Sequence, residues 1–389
     1  MRTYSVRTRI LLGAVAAAVA VPGSASQAAS GCGAALPVAP AGLPAPVVFR
    51  TACGSYRAGV DGSVARTRPV RPPWRSASLP FRIGVRDDHV VVTAHGRLVW
   101  RSTRVFRVDT SELDSVAFGG RAVAFSFMHG PLWVARFGRR EHAVGWSEGA
   151  LVWTSRGDPL TLQRRHGKWR IAARDRNGLQ PHVIGPTRNF LVDDATRAVL
   201  YVTATGSLVR TDGRSTKPLA NLESLGFDPR ATLQVVQRDM ISISSSERLA
   251  VLRADGSVFA AMDYPADPDG LKHGWAQFAV ADDRVAVAVE LEPPKGGVAG
   301  EDVYVLREGA TQGRLLARLQ AEWFACGWMG TMVWHGDWLL YSDTVVDVLA
   351  IDTSSGRQID LSKTARQLPG VQLDENSGEY VGLAFAVWG

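Results

Sequence analysis

Apolar and polar residues alternate with a period of two through most of the chain, in runs such as Arg121-Ala122-Val123-Ala124-Phe125, Arg284-Val285-Ala286-Val287-Ala288-Val289 and Trp338-Leu339-Leu340-Tyr341. Side chains of a strand point alternately to its two faces, so this pattern predicts short strands rather than helices. Gly and Asp cut the runs every 8 to 12 residues or so, as turns between antiparallel strands require. No window beyond the N-terminus carries a convincing amphipathic helix.

The runs repeat. Leu200 to Gly213 and Leu249 to Gly256 both end an alternating stretch in Arg-x-Asp-Gly. The same shape recurs at Val305 to Gly309, at Ala350 to Gly356 and more loosely at Leu162 to Gly167. The turn glycines Gly167, Gly213, Gly256, Gly309 and Gly356 are 43 to 53 residues apart, the period of a four-stranded propeller blade. Full units are expected to begin near Phe81, Ser115, Ala143, Asn189, Thr232, Trp275 and Met329. That gives an all-β single β-propeller of seven blades, with six or eight as the alternatives. Tyr380 to Trp388 is one more apolar strand, and Phe49 to Val64 has the shape of the outer half of a unit. Pairing the two ends in one blade closes the ring and removes its open edge. On these segments the chain resembles the TolB-like and YWTD-like bacterial propellers; the resemblance implies an architecture and no activity. Leu200-Tyr201-Val202-Thr203 has the shape of the YWTD strand without its Trp and Asp.

The N-terminus departs from the strand pattern. Arg2, Arg7 and Arg9 precede an apolar run, Ile10 to Val21, that Pro22 and Gly23 end, followed by the small residues Ser24 to Ala29. This is the form of a secretory leader, residues 1–29. Twelve apolar residues as a helix cover about 18 Å, too little for a bilayer core of about 30 Å. The mature chain is therefore expected outside the cytoplasm of a bacterium, secreted or in the cell envelope, with no transmembrane helix. Residues 30–46 are rich in Ala, Pro and Gly and read as a flexible spacer before the propeller of residues 47–389.

Export permits disulfides, and the chain has three cysteines. Ala29-Ser30-Gly31 before Cys32 is similar to the small-residue box of a lipid-modified cysteine. Lipidation would leave Cys53 and Cys326 as a pair; otherwise Cys32 pairs with Cys53 and Cys326 stays single. The formal charge of +7 falls to about four once the leader arginines are removed, and basic residues are scattered among acidic ones, which is no nucleic-acid signature.

Two catalytic motifs are missing from the sequence: it has no His-Glu-x-x-His pair and no sialidase-type Ser-x-Asp-x-Gly-x-x-Trp box. His89, His129, His182, His273 and His335 are the histidines that inner strands could bring together. A lone turn histidine is more often solvated or capping, so no metal and no cofactor is expected. Asp263, Asp267, Asp269 and Gly270 are similar to part of a calcium loop but lack its closing Glu, and a connector held by Asx turns accounts for them. Asp87-Asp88, Asp193-Asp194 and Asp282-Asp283 read as hairpin turns. Trp100, Trp133, Trp153 and Trp338 lie in apolar runs and read as core.

In a four-stranded meander, the loop between the second and third strands lies at the same end as the connection to the next blade. Arg174 to Arg188, Asp263 to His273 and Glu292 to Glu301 are the long excursions expected to share that face. The candidate partner-binding residues are accordingly His182, Asp267, Asp269, Lys272, His273, Trp275, Lys295 and Trp328. The leading expectation is a non-catalytic module binding or scaffolding an extracytoplasmic protein or a cell-wall glycan. The rival is a propeller hydrolase or lyase acting on an extracellular sugar or lactone, for which three or more of His182, Asp267, Asp269, His273 and His335 would have to converge.

Overall fold

A computed structural model describes residues 32–389 except 71–80, 128–129, 147–148, 154–158, 167, 176–177, 186–188, 194–196, 213–214, 236–239, 295–296, 321–330, 344–346 and 375–378. The leader, Cys326, His129, Lys295 and Trp328 lie outside the described residues.

The strands in chain order are β1 (Val47–Thr51), β2 (Gly54–Ala58), β3 (Val64–Thr67), β4 (Phe81–Arg86), β5 (His89–Ala94), β6 (Arg97–Arg101), β7 (Leu113–Phe118), β8 (Ala122–Phe127), β9 (Pro131–Arg136) and β10 (His142–Trp146). Next come β11 (Gly149–Trp153), β12 (Pro159–Arg165), β13 (Lys168–Asp175), β14 (Gly178–Gly185), β15 (Phe190–Asp193), β16 (Ala198–Val202), β17 (Ser207–Thr211) and β18 (Thr216–Asn221). They continue as β19 (Thr232–Val235), β20 (Ile241–Ser244), β21 (Arg248–Leu252), β22 (Val258–Asp263), β23 (Lys272–Val280), β24 (Arg284–Glu292), β25 (Gly300–Arg307) and β26 (Arg314–Gln320). The last are β27 (Thr331–His335), β28 (Trp338–Ser342), β29 (Val348–Asp352), β30 (Gln358–Asp360), β31 (Gln372–Asp374), β32 (Glu379–Val381) and β33 (Leu383–Trp388). A short helix, α1 (Ser362–Arg366), follows β30.

Consecutive strands pair antiparallel into four-stranded sheets from β7 to β30, and β4–β6 form a three-stranded one. The remaining four-stranded sheet has the order β3-β2-β1-β33, so the two ends of the chain share it, as the sequence predicts. Val47 stands opposite Trp388 and Phe49 opposite Ala386 in that pairing.

Packing follows from burial on both faces. In β24, Val285, Val287 and Val289 fill the space toward β19–β22, while Ala286 and Ala288 let β27–β30 approach on the other side. Similar apolar clusters join β4–β6 to β7–β10, β7–β10 to Trp153 of β11, β11–β14 to β15–β18, β15–β18 to β19–β22, and β27–β30 to β1, β2 and β33. From β4–β6 through β27–β30 to the sheet of the two chain ends, each sheet thus packs on the next. The fold is a β-propeller.

First strands are also stapled across sheets by indole hydrogen bonds. Trp334 Nε1 donates to the Ala279 carbonyl at 3.0 Å, and Trp388 Nε1 donates to the Val333 carbonyl at 2.9 Å. Trp100, Trp133 and Trp153 are buried, as expected, and Trp338 is partly so.

Several expectations need correction. The unit placed at Ala143 begins instead at β11, because Ala143 lies in β10, the fourth strand of the preceding sheet. Gly167 separates β12 from β13, the second and third strands, whereas Gly256, Gly309 and Gly356 separate third from fourth. Arg174 to Arg188 is no excursion: its described residues mostly complete β13 and form β14, the fourth strand. The Ala/Pro/Gly-rich stretch also contributes to a core, since Ala39 and Leu43 are buried against β1, β2 and α1. Backbone bonds from Ala39 and Gly42 to the carbonyls of Gly62 and Val60 hold it there.

Gly256 shows why the repeat carries glycine. Its φ is +94°, and a Cβ there would meet the Leu219 carbonyl of the preceding sheet at 2.1 Å. Gly309 has φ +75° with open space around it. Gly309→Ala is therefore expected to cost about 1 kcal/mol for the left-handed backbone alone. Gly256→Ala should cost clearly more, and urea unfolding of the two variants measures the difference.

Candidate functional site

The loop face of sheet β23–β26 gathers most of the strongly perturbed ionisable groups in the described chain. Their placement begins with alternation in β25, where Asp302, Tyr304 and Leu306 face β19–β22, and Glu301, Val303 and Val305 face β27–β30. Two neighbouring carboxylates are thereby sent to opposite sides of one sheet.

On the first side, register sets Asp302 directly opposite Arg318 of β26. The fully buried Asp302 carboxylate accepts Arg318 Nε at 2.7 Å and Nη2 at 2.8 Å, and the Tyr304 hydroxyl at 2.9 Å. Arg318 Nη1 lies 2.9 Å from Asp267 Oδ2 in the connection between β22 and β23. The other oxygen of Asp267 accepts the N–H groups of Asp269 and Leu271. Burial pushes the Asp267 carboxyl up, but those N–H groups and the guanidinium outweigh it, and its pKa lies below the ordinary carboxylate value. The pKa of Arg318 is raised, first by its bond to Asp302 and further by the charges of Asp302 and Asp267. The bidentate fork and the Asx-type turn together fasten the loop to the sheet.

His273, the second residue of β23, is buried and stacked on Tyr264, ring centroids 4.1 Å apart and 12° from parallel. Burial lowers its pKa against the pull of Asp302 and Asp267, so the imidazole is neutral at neutral pH. The Ser246 backbone hydrogen-bonds the ring. His273 Nε2 and the Tyr264 hydroxyl are shut away from solvent with no protein partner among the described residues.

On the second side, Glu301 lies opposite Glu290 of β24 and accepts the buried Tyr341 hydroxyl of β28 at 2.7 Å. Burial, then the charges of Glu301 and Glu292, push Glu290 up to about 7, against a backbone hydrogen bond from Trp275. Burial also raises Glu301, with the Tyr341 bond opposing. Two facing carboxyls in a dry seam resist ionising together.

Of the residues singled out in the sequence, Asp267 and His273 meet in the first cluster, with Tyr264, Asp302, Tyr304 and Arg318. Asp269 and Lys272 are exposed beside it. Trp275 is partly buried near Glu290. His182 is on β14, in another sheet, and its side chain lies outside the described residues. His335 ends β27, whereas His273 begins β23; both are first strands, so the two stand at opposite faces. The calcium-like carboxylates diverge, with Asp263 bound to Arg248 at 2.7 Å and Asp267 to Arg318. Among the described residues no three His, Cys, Asp or Glu side chains are grouped to hold a metal ion. Asp193 is more than turn punctuation, being buried with its carboxylate 3.4 Å from Arg210.

Asp302, Arg318, Glu290, Glu301 and Tyr341 were not anticipated. The available signal was the acidic pair Glu301-Asp302 in front of an apolar strand, with Arg318 alone among Leu315, Leu316, Ala317 and Leu319.

No family model matches the chain, and no curated protein matches it. Among solved structures it is similar to BamB from Moraxella catarrhalis, at 15% identity and TM-score 0.38 over 72% of this chain and 83% of that one. It is also similar to the dihydro-heme d1 dehydrogenase NirN in complex with DHE, at 13% and 0.33 over 75% of each chain. The β-propeller domain of Myceliophteria thermophila Cps50 (Swd1) matches at 13% and 0.33, over 73% of this chain and 93% of that one. Overlaps of this size carry no argument about activity or partner, and the fold assignment rests on the sheet order above.

Two outcomes follow from these geometries. Arg318→Met strands the buried Asp302 charge and is expected to cost about 3 kcal/mol in urea unfolding, part of it recovered in Arg318→Met/Asp302→Leu, which removes the Asp302 charge but leaves Asp267 without its guanidinium. For Glu290 the folded-state pKa is raised above the unfolded value, so its contribution to stability is present at acidic pH and lost as pH rises from about 4.5 to 7. Glu290→Gln should therefore gain stability relative to wild type as pH rises through that window, read as the difference between their unfolding free energies at pH 5 and pH 8.

Proposed function

We propose that the chain is an exported, non-catalytic propeller that binds or scaffolds a partner in the bacterial cell envelope or outside the cell. One observation carries the reading. The charged groups at the loop face, Asp267, Asp302 and Arg318, are bonded to one another and fasten the loop, so they build a rigid surface rather than a reactive centre. Asp269 and Lys272 stand exposed on that surface.

The disulfide between Cys32 and Cys53 supports an oxidising compartment. It also favours the unanchored form, because a sulfur held in a disulfide cannot carry a thioether-linked lipid. No helix among the described residues is long and apolar enough to cross a membrane. The hydrolase or lyase reading asks for three converging groups, and among the described side chains only Asp267 and His273 come together.

The test is capture from a bacterial cell-envelope fraction with tagged mature protein, beside Asp269→Lys/Lys272→Glu. The expected result is a protein or glycan retained by the wild type and about tenfold depleted on the charge-reversed loop. Recovery of background alone from both would overturn the reading.

A further inference from the structure

The three-stranded sheet β4–β6 differs from the four-stranded sheets in how it ends. After β6 the chain does not turn back. Ser102 N–H donates to the Val90 carbonyl at 2.8 Å, and the N–H groups of Thr103 and Arg104 donate to the buried Glu141 carboxylate of the next sheet at 3.0 and 2.7 Å. Phe106 N–H then reaches the Asp88 carbonyl. These bonds lead the chain away before a fourth strand can form. β6 is left as the outer edge, fixed from behind by pairing with β5 and by Trp100, whose Nε1 donates to the Arg139 carbonyl at 2.9 Å.

That edge is both apolar and basic. Leu98 is 59% exposed, Val99 37% and Val105 49%. Residues 81–107 contain six arginines, all exposed, against two aspartates. Arg101 lies 3.8 Å from Asp87, and Arg104 stacks on Trp133; Arg97 has no acidic partner among the described residues. No backbone hydrogen bond leaves the outer side of Arg97 to Arg101 among the described residues. A strand whose outer N–H and C=O groups have no partner among the described residues is a template for a further strand.

We propose that β6 accepts an extended acidic segment of a partner polypeptide as the fourth strand of this sheet. The proposal rests on the reading of the protein as a binding propeller and places one contact of that function. Alternation gives the occupant its pattern. A bulge at Val99 puts Arg97 on the face of Trp100 and Arg101 on the face of Leu98, so the added strand carries carboxylates three residues apart, one on each face, with apolar residues between them.

The probe is a fluorescein-labelled peptide, Thr-Glu-Val-Val-Glu-Thr, titrated with the mature protein and read by anisotropy. Two controls accompany it: the same peptide N-methylated at alternate backbone nitrogens, and a composition-matched scramble with adjacent glutamates. Strand addition predicts binding that weakens about tenfold for either control and for Arg97→Glu/Arg101→Glu, and returns in that variant with lysine in place of both peptide glutamates. Circular dichroism and the thermal midpoint should not change in the variant, because both side chains are exposed. Equal binding of all three peptides would reduce the edge to a charge-attracting patch and overturn the proposal, as would no binding. Dimerisation of the protein abolished by Arg97→Glu/Arg101→Glu would give the edge to a second copy and overturn the stated partner. Loss of this contact with envelope capture intact would leave the wider function standing, since Asp269 and Lys272 are untouched.

Discussion

Each sheet of this propeller has two apolar faces, and only a neighbour on either side can bury them. In β24 and β25 the burial is nearly complete, with valine and tyrosine on one face, alanine and valine on the other. A strand in that position cannot be stable in an isolated unit, because one face would stand in water at about 25 cal/mol for each Å² exposed. The pairing of β33 with β1 meets this demand at the ends of the chain. It places Phe49, Tyr56 and Ala386 against Leu340 and Ala350 of β27–β30, so that a sheet built from both termini packs as the others do. Trp388 adds a hydrogen bond to β27 at the same seam. The Cys32–Cys53 disulfide ties the N-terminal arm to this sheet, and Gly62, with φ +85° and no room for a Cβ against the Ala39 carbonyl, lets the arm lie close.

Charge inside such a stack has to be matched within the register. Glu301 and Asp302 are adjacent in sequence and almost equally buried, yet they differ in electrostatic condition. Asp302 meets a guanidinium held in line by strand pairing, which stabilises its charge through two parallel hydrogen bonds. Glu301 stands opposite another carboxyl, Glu290, and burial raises its pKa against the Tyr341 hydrogen bond. The strand's alternation, not the local sequence, decides which residue is which. Fastening the loop and tuning the seam toward β27–β30 are thus two consequences of one short acidic pair.

Most of the architecture was legible because it depends on period and punctuation. The alternating runs, the Arg-x-Asp-Gly turns at Gly256 and the pairing of the two ends all survive as read. Weak punctuation hides the rest. Between Ala143 and Arg188 the strands are longer and separated by turns without Arg-x-Asp-Gly, so periodicity alone places the start of the unit at β11 one strand too early and does not distinguish β14 from a connection. At the loop face, Asp267 and His273 were legible because they sit in a long polar excursion. Asp302 and Arg318 were not, since sixteen residues separate them and only the register across β25 and β26 shows that they touch. His335 seemed equivalent to His273 by residue type, but strand direction sends it to the other face.

The same reasoning explains why the sheet β4–β6 stops at three strands. Its turn Asp87-Asp88 has both residues at positive φ, a two-residue hairpin of the type that matches strand twist, so the sheet starts as its neighbours do. What changes is the exit from β6, where the buried Glu141 offers a carboxylate to two successive N–H groups. Hydrogen bonds to a charged acceptor are stronger than those of an ordinary strand ladder, and they hold the chain on the neighbouring sheet instead of returning it along β6. The local preference for a capped carboxylate thus overrides the repeat. Among the described residues, a sheet otherwise built by the common plan has no strand in its last position, beside Leu98 and Val99.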